Sequence, residues 1–265
     1  MTKLALLLGE GALANVALQA AQRRYGAARI VPMALVPAAW PDLPLFDLDN
    51  LSASIQAAKA HAPTHICVAG RVDLPQSRRE RMVRTISPNV DAEDGTSDLG
   101  LERAFGDVAA QIGATPIGVQ EFAQDLLAKS GHLFGPPHPQ TEAHIERLLT
   151  VTHLFGQTDL GQSLVFAGLQ PVAGEDIGGT DALLLRMRAI GNESCFAAPL
   201  ALVKVKKPQQ SGVGDLPTIG QHTVEMAAAA DIKLIIVEAG ATLVLDQDQM
   251  ENVCQRHGVT ILGAG

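Results

Sequence analysis

The sequence predicts an α/β protein organised in two halves. Short apolar runs alternate with amphipathic stretches, which is typical of sheets covered by helices. The segment GHLFGPPHPQ interrupts this alternation with two glycines and three prolines. The length of 265 residues is compatible with two small domains. We therefore predict domains over 1–130 and 141–265, joined by a linker over 131–140.

The first half has the order β-α-β-α-β at its start, which predicts a parallel sheet. The apolar run Leu4–Leu8 predicts a buried strand, and the alanines and leucines after it recur at helical spacing. Pro32 removes a ladder donor and favours an edge position or a bulge for the second strand. The predicted strands cover 4–8, 30–35, 64–69 and 115–119, and the predicted helices cover 12–25, 51–61, 76–85, 98–112 and 120–129.

The second half repeats the same type of pattern without an internal repeat of fixed period. Its apolar runs predict buried strands, and helix-period stretches fall between them. The predicted strands cover 163–168, 200–205, 232–237, 242–245 and 259–262, and the predicted helices cover 141–155, 180–188, 218–230 and 246–257.

Composition excludes several classes of protein. The formal net charge is −8 and only nine residues are aromatic, so general nucleic-acid binding is not expected. The three cysteines lie far apart without ligand spacing, which favours reduced thiols over a zinc site. The longest apolar run, 30–40, is too short to span a membrane and contains two prolines. A cytoplasmic protein is expected.

The motif GEGALA follows the first predicted strand. Gly9 and Gly11 would let the backbone approach a phosphate at the start of a helix. No acidic residue stands at the end of the second strand, and this absence argues against a dinucleotide site. The motif is explained equally well as a phosphate-binding turn or as a tight turn without a ligand. Both interpretations stay open.

Four segments of the second half carry candidate polar residues. Thr180 and Asp181 open a predicted helix, where they are either an N-cap or part of an anion or metal site. Lys204 and Lys207 flank a strand end. They are either solvated charges that protect the edge of the sheet or a clamp for a diphosphate. Asp215 stands in the loop GVGDLPT before Thr218, a predicted helix cap. This acid either binds a metal or positions water, or the segment is an ordinary entry into the helix. Glu238 follows a buried strand, where α/β proteins usually bind ligands.

Taken together, these segments resemble the LpxI-type UDP-2,3-diacylglucosamine pyrophosphatases of bacterial lipid A synthesis. The resemblance runs through nearly the whole chain, and it is carried by LLLGEGALANVA, VAGRVDLP around Gly70, GTDALL, VKVKKPQQSGVGDLPTIG and VEAGATLVLD in that order. Two positions depart from the family pattern: Glu10 stands inside the glycine motif, and Gly178 stands where a glutamate is usual, with Glu175 a few residues upstream.

The resemblance implies a two-domain enzyme with a Rossmann-like N-terminal domain and a distinct α/β C-terminal domain that carries the catalytic motifs. It implies Mg²⁺-dependent hydrolysis of the substrate's diphosphate to UMP and 2,3-diacylglucosamine 1-phosphate. We expect Asp215, Lys204 and Thr218 to be catalytic and Asp215 with Asp181 to bind the metal. The expected substrate-binding residues are Gly9, Gly11, Gly70, Thr180, Lys207 and Glu238.

The substrate that the resemblance implies is a lipid, so we expect the protein to act at the inner-leaflet membrane surface as a peripheral protein. A homodimer is left open. Two other functions remain. The departures at Glu10 and Gly178 are also compatible with a non-catalytic nucleotide- or lipid-binding relative. An NAD-linked oxidoreductase built on GEGALA is the other alternative.

Overall fold

The computed structural model describes residues 2–86, 98–139, 141–191, 196, 198–208, 212–213 and 216–265. The described chain forms two compact units. The N-terminal unit contains the described residues up to 124 together with 212–213, and the C-terminal unit contains those from 125 to 208 and 216–265. Each unit is α/β, as the sequence predicts.

The N-terminal unit is built on a parallel four-stranded sheet. Its strands are β1 (Leu4–Leu8), β2 (Ile30–Ala34), β3 (His65–Ala69) and β4 (Thr115–Pro116), and their order in the sheet is β2-β1-β3-β4. Its helices are α1 (Ala12–Tyr25), α2 (Leu51–Ala60), α3 (Gln76–Ile86) and α4 (Asp98–Ile112). All five residues of β1 are buried, and β1 lies between two strands of the sheet. The edge position predicted from Pro32 is confirmed, since β2 borders the sheet.

The helix predicted over 120–129 is wrong. The segment forms two short 3₁₀ turns, Val119–Glu121 and Gln124–Leu126. Beyond them, the backbone N–H of Ala128 donates to Thr242 O (2.9 Å), and Ala128 O accepts from the N–H of Gly240 (2.8 Å). These long-range bonds use the groups that a local helix would need.

The C-terminal unit is built on a mixed six-stranded sheet. Its strands are β5 (Gly131–Phe134), β6 (Ser163–Ala167), β7 (Gln170–Gly174), β8 (Leu200–Lys204), β10 (Ile232–Glu238) and β12 (Thr260–Ala264), in the order β5-β12-β10-β8-β6-β7. The short strands β9 (Thr218–Ile219) and β11 (Leu243–Val244) form a separate parallel pair. The helices are α5 (Glu142–Gly156), α6 (Gly179–Gly191), α7 (Gln221–Ala229) and α8 (Gln247–His257).

Three segments of this unit differ from the predicted elements. Residues 131–134, predicted as the start of a linker, form the edge strand β5, which pairs with β12. The sequence does not predict β7, because Pro171 and Gly174 hide a five-residue edge strand. Thr218 is not a helix cap; it lies in β9, and Gly220 is the N-cap of α7.

The core of the C-terminal unit consists of apolar side chains on both faces of its sheet. One face packs against α6, α7 and α8, with Leu184, Val224 and Met250 fully buried. The other face packs against α5 through Leu148 and Leu149. In the part of the chain that the structure describes, no helix is long and apolar enough to cross a membrane.

Candidate active site

The candidate site lies at one edge of the C-terminal sheet. β8 and β10 run parallel, so their carboxyl ends, Lys204 and Glu238, reach the same edge. β6 runs antiparallel to β8, and its first residue, Ser163, pairs with Lys204. The carboxyl edge of parallel strands is where α/β proteins usually bind ligands.

Lys204 is the central charge of this edge. Its side chain is buried, with the residue 6% exposed. The ammonium Nζ donates to Thr180 Oγ1 (2.9 Å) and to the main-chain oxygen of Thr218 (3.3 Å). Burial lowers the pKa of Lys204 below its usual value of 10.5, and the charges of Glu175 and Asp181 act in the opposite direction. The ammonium has three N–H donors and these contacts use two, so one N–H has no acceptor among the described residues.

Thr180 connects Lys204 to a buried carboxylate. The hydroxyl of Thr180 donates to Glu175 Oε1 (3.1 Å) and lies 3.3 Å from Ser163 Oγ. The other oxygen of Glu175, Oε2, accepts from the backbone N–H of Gln162 (3.1 Å). Sequence reasoning identifies Glu175 only as an acid upstream of Gly178. Glu175 directly follows β7, so a sequence prediction that recognised this strand would have marked Glu175 as a candidate at a strand end.

Asp181 lies beside this cluster in the first turn of α6, where the helix macrodipole favours an acid. Its carboxylate is about half exposed, and Oδ2 lies 3.6 Å from Nε2 of His222 in the first turn of α7. Thr218 directs its main-chain oxygen to Lys204, while its hydroxyl donates to Leu216 O (3.1 Å).

Gly178, one of the two departures from the family pattern, precedes α6. A Cβ at Gly178 would lie 2.8 Å from Ala182 Cβ and 3.0 Å from Asp176 Oδ1. A side chain at position 178 would therefore displace the start of the helix in this chain.

Glu238 contacts the segment that follows β8. Its Oε2 accepts from the backbone N–H of Lys206 (2.7 Å), and Oε1 lies 3.8 Å from Nε2 of His153 on α5. Glu238 thereby holds the main chain just after Lys204.

Lys207 is also buried, but its ammonium is paired. Nζ donates to Asp159 Oδ1 (2.9 Å) and to Asp159 O (3.2 Å). Asp159 has a left-handed backbone, with φ of 59°, which turns its carboxylate and carbonyl toward the same ammonium. A phosphate clamp at Lys207, predicted from the sequence, stays a prediction.

Three predicted substrate-binding glycines belong to the N-terminal unit. Gly9 and Gly70 lie against each other: a Cβ on Gly9 would lie 2.5 Å from Arg71 O and 2.8 Å from Gly70 O. Gly11 has φ of 94° and precedes α1, and a Cβ on Gly11 would meet no heavy atom within 4 Å. The close packing of Gly9 and Gly70 supports the tight-turn interpretation of GEGALA.

Glu10 has a partner in this turn. Arg71 donates to Glu10 Oε1 at 3.1 Å, and the backbones of the two residues also bond to each other. The arginine balances the charge that this departure from the family pattern adds at the start of α1.

Asp215, the predicted catalytic and metal-binding acid, lies outside the described residues. Within the described residues, no group of three or more His, Cys, Asp or Glu side chains could hold a metal ion. Among the described residues, the centre of the site is the buried ammonium of Lys204, which donates to the hydroxyl of Thr180 and the main-chain oxygen of Thr218.

A buried cation at the carboxyl edge of an α/β sheet is an arrangement typical of proteins that bind an anionic ligand. The family model described as the LpxI C-terminal domain matches residues 129–262, about half of the chain, and the chain belongs to the LpxI family. UDP-2,3-diacylglucosamine pyrophosphatase LpxI of Caulobacter vibrioides (strain ATCC 19089 / CIP 103742 / CB 15) is 29% identical to it. That similarity covers 99% of this chain and 98% of the relative.

Proposed function

We propose that the protein is a hydrolase that cleaves the diphosphate of UDP-2,3-diacylglucosamine in lipid A biosynthesis. The products are UMP and 2,3-diacylglucosamine 1-phosphate. The observation that carries this proposal is the buried ammonium of Lys204, which lies within the segment matched by the family model. The similarity to the Caulobacter enzyme over nearly the full length of both chains supports the substrate.

The chemistry requires charge neutralisation. A diphosphate repels an incoming oxygen nucleophile, so its negative charge must be offset and water must be oriented. In the proposed reaction, water attacks the phosphorus on the sugar side, the bridging P–O bond breaks, and UMP leaves with the bridging oxygen. The third N–H of Lys204 donates to a phosphate oxygen, and the first turn of α6 adds its positive dipole end. We assign Asp215 to the attacking water, whose proton it accepts.

We propose that a magnesium ion takes part in the reaction. Mg²⁺ prefers oxygen ligands and takes one or two carboxylates while keeping several waters. Asp181 follows Thr180 in the first turn of α6 and offers a half-exposed carboxylate, and we propose Asp181 and Asp215 as the ligands. When bound, Mg²⁺ would supply charge neutralisation on the diphosphate.

The proposal extends to the rest of the molecule. We propose a Rossmann-like N-terminal domain, in which the turn formed by Gly9, Gly11 and Gly70 contributes to substrate binding, and a C-terminal catalytic domain that includes Thr218, Lys207 and Glu238. A membrane-lipid substrate supports a cytoplasmic location with peripheral contact at the inner leaflet.

Release of UMP from UDP-2,3-diacylglucosamine tests the proposal. We expect turnover with Mg²⁺ and its loss with EDTA, together with a fall of about 100-fold or more in Asp215→Asn. Asp231→Asn is the matched control, since Asp231 has an exposed carboxylate and a left-handed backbone that asparagine tolerates.

The outcomes separate the alternatives. Tight binding of the substrate without UMP release in Mg²⁺ would identify a non-catalytic relative. Nicotinamide cofactor retained after desalting would identify an oxidoreductase. Turnover by Asp215→Asn at the wild-type rate would remove Asp215 from the mechanism.

A further inference from the structure

Glu175 is a buried carboxylate with no role in the mechanism described above. The residue is 9% exposed, whereas the side chain of Asp181 is 52% exposed. Both charges favour the protonated form of Lys204. Glu175 acts in the less solvated surroundings, where a charge interacts more strongly.

The direction of the hydrogen bonds gives Glu175 a specific task. A threonine hydroxyl has one proton and two lone pairs. A carboxylate can only accept, so the contact between Thr180 Oγ1 and Glu175 Oε1 requires the threonine proton. The lone pairs of Thr180 are then left for the ammonium of Lys204. Glu175 thus fixes the orientation of the Thr180 hydroxyl, with its proton toward Glu175 and a lone pair toward Lys204.

Glu175 is itself held from two sides. Its Oε2 accepts from the backbone N–H of Gln162, and its own N–H donates to Ser163 O at 2.9 Å. Gly161 leaves room for this contact, since a Cβ there would lie 2.7 Å from Glu175 Cβ. A carboxylate fixed by the start of β6 can therefore fix Thr180 in turn.

We propose that Glu175 is a positioning residue, which orients the ammonium of Lys204 toward the substrate through the hydroxyl of Thr180. This inference rests on the proposed function, because it assigns Lys204 a phosphate oxygen as its third partner. Glu175 does not touch the substrate in this arrangement.

Steady-state kinetics of UMP release in three variants tests the inference. Glu175→Gln removes the charge and one of the two acceptor oxygens, and we expect kcat to fall about 10- to 100-fold with KM changed less than about threefold. Glu175→Asp keeps the charge and should recover part of the loss. Asp176→Asn is the control, because Asp176 is exposed and pairs with Arg186 at 2.9 Å.

Coupling to Thr180 separates positioning from a merely structural role. Thr180→Val keeps the shape and removes the hydroxyl, so Glu175→Gln should lower kcat less than about threefold further in that background. Full additivity of the two losses, or Glu175→Gln with wild-type kcat, would overturn the inference.

The same pair of variants distinguishes this inference from the proposed function. If the wild-type protein releases no UMP, the proposed function fails. Unfolding of the wild type, the two single variants and the double variant in denaturant still reports whether Glu175 and Thr180 are coupled. Additive changes in the free energy of unfolding would then reject the coupling of Glu175 to Thr180.

Discussion

Replacing Lys204 by methionine should separate activity from stability. Methionine has a similar length and keeps the apolar stem packed, but it removes the ammonium and its bonds to Thr180 Oγ1 and Thr218 O. If the charge stabilises the transition state, its removal should lower kcat/KM about 100- to 1000-fold, the size typical of a lost electrostatic donor.

The effect on folding should be small at pH 7, because two contributions oppose each other. Each hydrogen bond from a charged group favours folding by about 1.5–3 kcal/mol. Removing an ammonium from water costs several kcal/mol. We therefore expect the free energy of unfolding of Lys204→Met to lie within about 2 kcal/mol of the wild type.

The pH dependence of this difference has a defined sign. Since burial lowers the pKa of Lys204 in the folded state, the unfolded chain binds more protons between that lowered pKa and 10.5. Stability rises with pH wherever the unfolded state binds more protons. The free energy of unfolding of the wild type should therefore increase relative to that of Lys204→Met as pH rises through this window. Urea unfolding at several pH values between about 7 and 10, beside UMP release, measures both effects. A variant that keeps more than a tenth of the activity, or a difference that moves in favour of the variant at high pH, would refute the reasoning.

Two further variants test packing and pairing by thermal or urea unfolding. Gly9→Ala places a Cβ 2.5 Å from Arg71 O and should destabilise the N-terminal unit by about 1–3 kcal/mol. Gly106→Ala in α4 is the contrast, because its Cβ meets no atom within 4 Å and should stabilise the unit by about 0.5–1 kcal/mol. Equal changes in the free energy of unfolding would count against the packing argument. Lys207→Met leaves the carboxylate of Asp159 without its buried partner and should lower the free energy of unfolding by about 2–3 kcal/mol. Lys233→Met is the control, because Lys233 is about half exposed and lies 3.7 Å from Asp231. An unchanged unfolding midpoint in Lys207→Met would show that the pair does not stabilise the fold.

Much of the fold is predictable because most strands are apolar runs and most helices show helical periodicity. β1, α1 and α4 have the predicted bounds, and Pro32 correctly predicts an edge strand. The errors occur where distant backbone groups decide the structure. The 3₁₀ turns before Ala128, the edge strand β5 and the short β9 all depend on partners that are remote in sequence. Local patterns contain no information about such partners.

The candidate site is predictable residue by residue but not as an arrangement. Lys204 and Glu238 can be placed at strand ends, and parallel strands bring such ends together. Glu175 cannot be placed, because its position depends on β7, a strand that Pro171 and Gly174 disguise. The pairing of Lys207 with Asp159 is also hidden, since 48 residues separate the partners.

The two buried lysines near the end of β8 differ in what cancels their charge. The ammonium of Lys207 contacts a carboxylate oxygen at 2.9 Å, so the charges of this pair largely offset each other. The ammonium of Lys204 contacts only a hydroxyl and a carbonyl among the described residues, and the nearest carboxylate in its network, Glu175, lies one hydrogen bond further away. An incoming phosphate would compete with the carboxylate of Asp159 for the ammonium of Lys207, whereas no carboxylate contacts the ammonium of Lys204 in the described part of the chain. We therefore expect Lys204 rather than Lys207 to contact the diphosphate of the proposed substrate, and a loss of kcat/KM in Lys207→Met as large as that in Lys204→Met would contradict this order.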